Sequence, residues 1–233
     1  MKKTFIGFVL LTTMLTSCVS VSEKFENTVV KTVEIIGASH YTITHTSYND
    51  TRKGSSDEMV VTFDNPKENY SNDKAPSLVA LTIIQSLNED DCKKFDRIKI
   101  IVNSNSSTFE DTYVTDDLIK TNAGLLKLAD FIDSASKYDT INLKKLCDNN
   151  FIADSTLLQM TKMIKAITDE YGKLNEFSIN GFRYDSIKGS DKSVIETWVE
   201  AVNGEAITNY TFYISRDDLK IIYIGINDKH NGS

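Results

Sequence analysis

The stretch that decides the fold runs from residue 154 to residue 226. It contains DSTLLQMTKMIKAITDEYG (154–172), NEFSINGFRYDSI (175–187), SVIETWVEAV (193–202), ITNYTFYIS (207–215) and LKIIYIGI (219–226). In the first segment apolar residues recur at steps of three and four, which predicts an amphipathic helix that Asp154 caps and Gly172 ends. The other four segments are rich in β-branched and aromatic residues, which predicts strands. A long helix followed by consecutive strands is typical of an α+β fold.

The chain ahead of this stretch carries a second set of helix and strand patterns. We predict helices at 22–36, at 77–87, from 115 or 116 onward and at 142–147, and strands at 41–46, 58–63, 97–103 and 109–114. Polar loops are expected at 49–57 and 65–76, and an interruption of the third helix at 122–124. The whole pattern predicts the α+β class, with helices packed on curved antiparallel sheets.

The second half resembles the cystatin-like and NTF2-like domains of exported bacterial proteins, in which a curved sheet cradles a helix. The resemblance covers residues 143–226 and rests on element order and on the closing pattern Tyr210-Thr211-Phe212-Tyr213-Ile214, then Leu219-Lys220-Ile221-Ile222. It implies a domain over 139–227. The region 18–138 is then either a second, diverged lobe of that kind or part of one composite domain.

The N-terminus has the pattern of a secretory signal. Lys2 and Lys3 give a basic start, residues 5–15 are mostly apolar, and Leu15-Thr16-Ser17-Cys18 closes the segment. The apolar stretch is shorter than the roughly 20 residues that a spanning helix needs. Its last four residues resemble the lipobox of bacterial lipoproteins. The resemblance implies removal of residues 1–17 and acylation of Cys18.

An acylated Cys18 makes membrane lipid the first expected partner. Stable anchoring requires more than one acyl chain, and the palmitate-type diacyl or triacyl group that the resemblance implies meets this requirement. No acidic cluster follows directly in Val19-Ser20-Val21-Ser22. This favours an anchor in the cell membrane or outer membrane that faces the periplasm or the exterior.

Charge and composition exclude one class of function. The formal net charge is −7, and the loss of Lys2 and Lys3 would take it to about −9. An acidic chain repels a phosphate backbone, and no cluster of basic and aromatic residues offsets that repulsion. We therefore expect no nucleic acid as partner. With 40% hydrophobic residues, the chain can build a core.

Two cysteines remain once Cys18 is acylated, Cys92 and Cys147. In an exported protein they could form a disulfide, which would stabilise the fold by about 4 kcal/mol for a loop of this length. The alternative is two separate thiols, with Cys147 in the core and Cys92 exposed in a charged run. No C-x-x-C pair is present, so a thioredoxin-like or zinc site has no support.

The residues most often used in catalysis and metal binding form no recognisable motif. His40 and His45 are five apart, which places them on opposite faces of a strand, and His230 lies in the polar tail 228–233. The acidic clusters 89–91, 116–117 and 217–218 are expected to be solvated. We therefore predict no catalytic residues, no metal and no cofactor.

Aromatic residues are the one suggestive group in the second half: Phe177, Phe182, Tyr184, Trp198, Tyr210, Phe212 and Tyr213. They would line an apolar pocket on a concave sheet or, more often, pack as core under the long helix against Leu157, Met160 and Ile164. Tyr184 and Asp185 are the only phenol and acid side by side on one predicted strand of the second half, and strand alternation places them on opposite faces.

These observations favour a non-catalytic lipoprotein that binds a protein or ligand of the cell envelope. The alternative is an envelope enzyme or small-ligand binder whose site lies in the cone-shaped cavity of the NTF2-like part. A packed, closed space between helix and sheet would argue against that alternative.

Overall fold

The computed structural model describes residues 23–50, 54–70, 72–188 and 190–227. Its helices are α1 (Glu23–Ile36), α2 (Ala75–Ser86), α3 (Glu89–Cys92), α4 (Thr115–Ser136), α5 (Thr140–Leu146) and α6 (Asp154–Tyr171), with a short 3₁₀ turn at Glu68–Tyr70. Its strands are β1 (His40–Asp50), β2 (Gly54–Asp64), β3 (Arg97–Asn103), β4 (Thr108–Val114), β5 (Leu174–Ser186), β6 (Ser193–Asn203), β7 (Ala206–Ser215) and β8 (Ile221–Asn227). The α+β class predicted from the sequence is confirmed.

The first four strands form the N-terminal sheet, in the order β1-β2-β3-β4. β1 with β2 and β3 with β4 are antiparallel pairs, whereas β2 and β3 run parallel. A parallel pair needs a crossover connection, and α2 lies in that connection. Alternation along β3 buries Ile98, Ile100 and Val102 completely on one face. The opposite face is polar and carries Arg97 and Lys99.

The last four strands form the C-terminal sheet, an antiparallel meander in the order β5-β6-β7-β8. Asn203 pairs with Ala206 across the two-residue turn Gly204-Glu205, in which Gly204 has φ 57°. β5 contains a register break between Ile179 and Phe182.

α2 is buried on almost all sides because it contacts both sheets. It packs against β3 and β4 on one side and against β5 on the other. Its sequence is apolar nearly throughout, as expected for a helix without a solvent face. The main-chain N–H of Phe182 in β5 donates to the Ser77 hydroxyl of α2 at 3.1 Å. The buried apolar residues of both sheets accordingly form one continuous core.

α4 differs from its prediction because it continues without interruption through residues 122–124. Gly124 is buried, and a Cβ there would lie 3.5 Å from Ile214 and Leu219. The glycine therefore marks a close approach of the helix to the C-terminal sheet. Two turns further along the same helix, Phe131 meets Phe212 edge to face at 5.8 Å between ring centroids.

Two further predictions of element boundaries were wrong. Asp154 does not cap α6, because it is the first residue of the helix and Ala153 occupies the cap position. The Asp154 carboxylate accepts a hydrogen bond from Lys144 Nζ at 2.6 Å. The loop predicted at 49–57 is largely strand, because the β1–β2 register continues to Asp50 and Gly54. Because the side chains at the end of this hairpin are polar, the sequence there shows no alternation of polar and apolar residues.

Candidate functional site

An open groove of about 690 Å³ lies at one end of the N-terminal sheet. Three segments form it: the end of the β1–β2 hairpin, the connection from α3 to β3, and the junction of β4 with α4. The hairpin contributes Tyr48, Ser55 and Ser56. The walls are therefore built from parts of the chain that are far apart in sequence.

Asp96 holds the three segments together. Its carboxylate accepts the main-chain N–H of Asp57 at 2.7 Å, and its own N–H donates to the Asp57 carbonyl at 2.9 Å. Its carbonyl accepts the main-chain N–H of Thr115 at 2.9 Å. Asp96 lines the groove, but one carboxylate oxygen is already bound. Its main role is to position the walls.

Arg97 supplies positive charge to the groove without a carboxylate partner. Of the three arginines that the structure describes, Arg183 is bound to Glu196, and Arg216 lies 2.6 Å from Asp117. Arg97 makes no ion pair with any described residue and lines the groove from the first position of β3. Its guanidinium is free to bind a ligand carboxylate or phosphate.

Thr115 is the second unusual residue of the groove. It is 2% exposed, and its hydroxyl is the one buried side-chain polar atom without a hydrogen-bond partner among the described residues. Thr115 also begins α4, where Val114 occupies the cap position and provides no capping side chain. The first N–H groups of a helix attract negative charge, so this corner suits an anionic group.

The remaining charges of the groove are nearly balanced. Lys93 donates to Glu89, a hydrogen bond that raises the pKa of the Lys93 ammonium and keeps it protonated. Asp116 lines the same wall as Thr115. The groove therefore has a mixed polar lining with one unpaired cation, which fits a polar ligand with a localised negative charge.

Two aromatic residues frame the groove. Phe95 is 6% exposed and packs edge to face against Phe25 of α1 at 5.3 Å and against His45 at 5.8 Å. Tyr48 is half exposed, and its hydroxyl reaches the buried Glu58 at 3.4 Å. An exposed ring above a polar floor provides a surface on which a ligand can stack.

The histidines do not assemble a catalytic site in the described part of the chain. His45 Nε2 lies 3.4 Å from Asp57 Oδ1, and the Ser47 hydroxyl donates to the same oxygen at 2.5 Å. Both groups bind the same carboxylate, so His45 does not lie between Ser47 and Asp57 as the base of a Ser-His-Asp triad would. His40 lies on the other face of β1, bonded to Ser39, as the odd spacing predicts. His230 lies outside the described residues.

Cys92 and Cys147 are both free thiols, so they form two separate thiols and not a disulfide. The prediction that Cys92 is exposed was wrong, because α3 packs on α4 and leaves it 2% exposed. Cys147 is fully buried, as its helical spacing predicts. Burial raises the pKa of Cys92 to about 11 and that of Cys147 to about 12, so neither thiol is reactive at neutral pH.

The aromatic residues of the second half pack mainly as core. Phe182, Tyr210 and Phe212 are at most 3% exposed, which confirms the core interpretation for these three. Their partners are not confined to α6. Phe182 contacts Tyr113 of the N-terminal sheet at 5.5 Å, and Phe212 contacts α4 through Phe131. The sequence could not reveal these long-range partners.

Trp198, Phe177 and Tyr213 are half-buried. Trp198 lies on the outer face of the C-terminal sheet, where Lys74 Nζ is 4.3 Å from its ring. Tyr213 shares that face and contacts Tyr223 at 5.1 Å.

Between α4 and the C-terminal sheet, the described residues leave a cleft of only about 10 Å³. Tyr184 and Thr121 close it with a hydroxyl–hydroxyl bond of 3.0 Å, and Arg216 lies over the Tyr184 ring at 4.4 Å. Burial raises the pKa of Tyr184 to about 12. Asp185 points to the opposite, exposed side, as alternation predicts. The phenol and the acid therefore do not converge.

The acidic clusters lie at the surface, and three of their seven members form ion pairs with described residues. In the first cluster Glu89 binds Lys93, and Asp91 lies 2.8 Å from Lys24 of α1. Asp217 and Asp218 occupy the turn before β8. Within the described residues, no group of three or more His, Cys, Asp or Glu side chains is arranged to hold a metal ion.

Cys18 and the rest of the signal segment lie outside the described residues. None of the helices in the described ranges is long and apolar enough to cross a bilayer.

Comparisons with known proteins give little guidance. The chain matches no protein-family model and no curated protein sequence. A solved structure, that of Bd1075 from Bdellovibrio bacteriovorus, aligns with 82% of this chain and 77% of its own length, at 9% identity and a TM-score of 0.34. Similarity at that level supports no inference about function.

Proposed function

We propose that this chain is a lipid-anchored protein of the bacterial cell envelope that binds, without catalysis, a polar ligand carrying a carboxylate or phosphate. One observation carries the binding proposal. The groove combines Arg97, which makes no ion pair with any described residue, with the start of α4, where Val114 provides no capping side chain. A guanidinium near the positive end of a helix dipole attracts a carboxylate or a phosphate.

The anchoring part of the proposal rests on the lipobox pattern that ends at Cys18. Four residues separate Cys18 from Glu23, the start of α1, so the Cα atoms of Cys18 and Glu23 are at most about 18 Å apart. The first turn of α1 lies beside the groove, since Phe25 contacts Phe95. An acylated Cys18 would thus keep the groove close to the membrane surface.

The alternative of a site in the C-terminal cavity has less support. Its cleft of about 10 Å³ is smaller than a small-molecule site, which usually has at least about 300 Å³.

The anchor is tested by replacing the acceptor residue. Cys18→Ser is expected to abolish metabolic labelling with a fatty-acid analogue and to release the protein from the membrane fraction. Ser17→Ala is a matched control, because it keeps a small residue before the cysteine. Equal labelling of Cys18→Ser and the parent would refute the anchor.

The groove is tested by titrating the protein with inorganic phosphate and with acetate, followed by amide chemical shifts. We expect saturable shifts at the start of α4 and β3. Arg97→Ala should weaken binding about tenfold, the typical effect of losing one charge-assisted hydrogen bond. Lys99→Ala is the control, since Lys99 lies on the same face of β3 but is paired with Glu110 at 3.0 Å.

The two titrations also distinguish the ligand types. Saturation by phosphate alone would indicate a phosphate group in the natural ligand, and saturation by acetate alone a carboxylate. Unsaturated, uniform shifts with both anions, unchanged in Arg97→Ala, would contradict the binding proposal.

A further inference from the structure

The two sheets have four edge strands: β1, β4, β5 and β8. An edge strand presents unpaired main-chain N–H and C=O groups to which another chain can add a strand. Soluble proteins usually protect such edges with charged residues, proline, bulges or covering segments. The four edges can therefore be compared for the presence of these features.

Three of the edges are protected. β4 carries two adjacent acidic residues, Glu110 and Asp111. β5 has two register breaks. β8 also has a register break, and its first residue, Ile221, accepts the main-chain N–H of Asp148 at 2.9 Å, so a neighbouring segment covers that end.

Within the part of the chain that the structure describes, β1 has none of these features over nine residues. The segment HYTITHTSY (40–48) contains no Asp, Glu, Lys, Arg, Gly or Pro. Its register with β2 runs without a break, and β2 is its one strand neighbour among the described strands. Thr42 and Thr44 are exposed. This edge is long, regular and uncharged.

The same segment is complementary to a second copy of itself. In an antiparallel pair centred on Thr44, Thr42 lies opposite Thr46 of the second copy, and His40 lies opposite Tyr48. These even-numbered residues share the face of the sheet away from the core, so Thr meets Thr in one row, a favourable cross-strand pair. A two-fold axis through Thr44 generates all of these contacts at once.

Charge does not oppose a second copy at this edge. The chain carries a net charge of −7, so two copies repel each other in general. The uncharged edge of β1 is a place where two copies can meet without opposing like charges in the paired strands. We propose that β1 pairs antiparallel with β1 of a second copy, which joins two N-terminal sheets into one continuous eight-stranded sheet.

Cysteine cross-linking in the full-length chain tests the pairing directly. Thr44→Cys places two thiols across the two-fold axis at a Cα separation of about 5 Å, within the range of a disulfide. Buried Cys92 and Cys147 do not compete. We expect a disulfide-linked dimer on mild oxidation. Thr62→Cys is the control, since Thr62 lies opposite Thr42 on the adjacent interior strand and should not cross-link.

Sedimentation of the detergent-solubilised full-length protein gives a second measurement. The parent should be dimeric at micromolar concentration, and Thr44→Lys should be monomeric, because it opposes two ammonium groups. An unchanged far-ultraviolet circular dichroism spectrum would show that this exposed substitution preserves the fold.

A monomeric parent, together with equal cross-linking of Thr44→Cys and Thr62→Cys, would overturn the proposal. Cross-linking of Thr44→Cys to a different protein would also overturn it, in favour of strand addition by another partner.

Discussion

Asp148 connects the segment after α5 to the C-terminal sheet. Its carboxylate accepts from Lys192 Nζ and from the main-chain N–H of Asn150, both at 2.9 Å. Its own N–H donates to Ile221 in β8. The hydrogen bond from Lys192, followed by that from Asn150, holds the pKa of the Asp148 carboxyl below its usual range.

Asp148→Asn should therefore destabilise the protein by about 2 kcal/mol at pH 7, as expected for a buried charge-assisted hydrogen bond. Because the folded-state pKa is lowered, this stabilisation is present above the unfolded-state value of about 3.9 and is lost as the pH falls through the folded-state pKa. Urea unfolding at pH 7 and at about pH 2.5 measures the difference.

The matched control is Asp154→Asn, which removes an exposed partner of Lys144. We expect a loss below about 1 kcal/mol there. If Asp148→Asn lowers the unfolding free energy at pH 7 by no more than this control does, the Asp148 carboxylate stabilises the fold no more than an exposed ion pair.

At the scale of an element, β5 bends where Gly181 interrupts its register. Gly181 has φ 125°, and a Cβ there would lie 3.0 Å from the Lys74 Cβ and 3.1 Å from the Ser77 hydroxyl. Its carbonyl accepts from the buried Thr197 hydroxyl at 2.8 Å. The bulge thus allows β5 to approach α2 closely.

Gly181→Ala should cost about 3 kcal/mol, because it combines backbone strain with a steric clash. Gly172 has φ 97° with no atom within 4 Å of its Cβ position, so Gly172→Ala isolates the backbone strain and should cost about 1 kcal/mol. Chemical denaturation of both variants separates the cost of the backbone strain from the cost of the steric clash. Equal losses would show that crowding against α2 contributes nothing.

Periodicity predicted the elements best where one face is buried. The stripe of α6 and the alternation of β3 are examples, since each has a regular set of core residues. It failed at the end of the β1–β2 hairpin, where both faces are polar and only the backbone pairing defines the strands.

The groove could not be predicted because its residues come together only through the parallel pairing of β2 with β3. Arg97 and Thr115 are ordinary in the sequence, and nothing in their neighbours shows that one lacks an ion pair and the other a hydrogen bond.

At the scale of the whole molecule, α2 ties the two sheets into one body. Lys74, next to α2, lies over Trp198 of the C-terminal sheet at 4.3 Å. Trp198 is the single tryptophan of the chain. Its fluorescence therefore reports on the contact between the two halves.

We expect one cooperative unfolding transition. The fluorescence of Trp198 and the hydrogen exchange of the β2 and β3 amides should give the same unfolding free energy, because one core serves both sheets. Phe131→Ala should lower both values equally, by about 3 to 5 kcal/mol. Two separate transitions, or a change in one probe alone, would show that the halves unfold independently.

The connections between strands also set the order in which the sheets can form. Turns of six, two and five residues join β5 to β8, so each pairing closes a short loop at little entropic cost. The parallel pair β2–β3 closes a loop of 32 residues that includes α2. The short connections of the C-terminal sheet give it a low contact order, which favours its early formation. Strand β5 of this sheet then provides a surface against which α2 can pack. The N-terminal half, although it is synthesised first, would complete its sheet last.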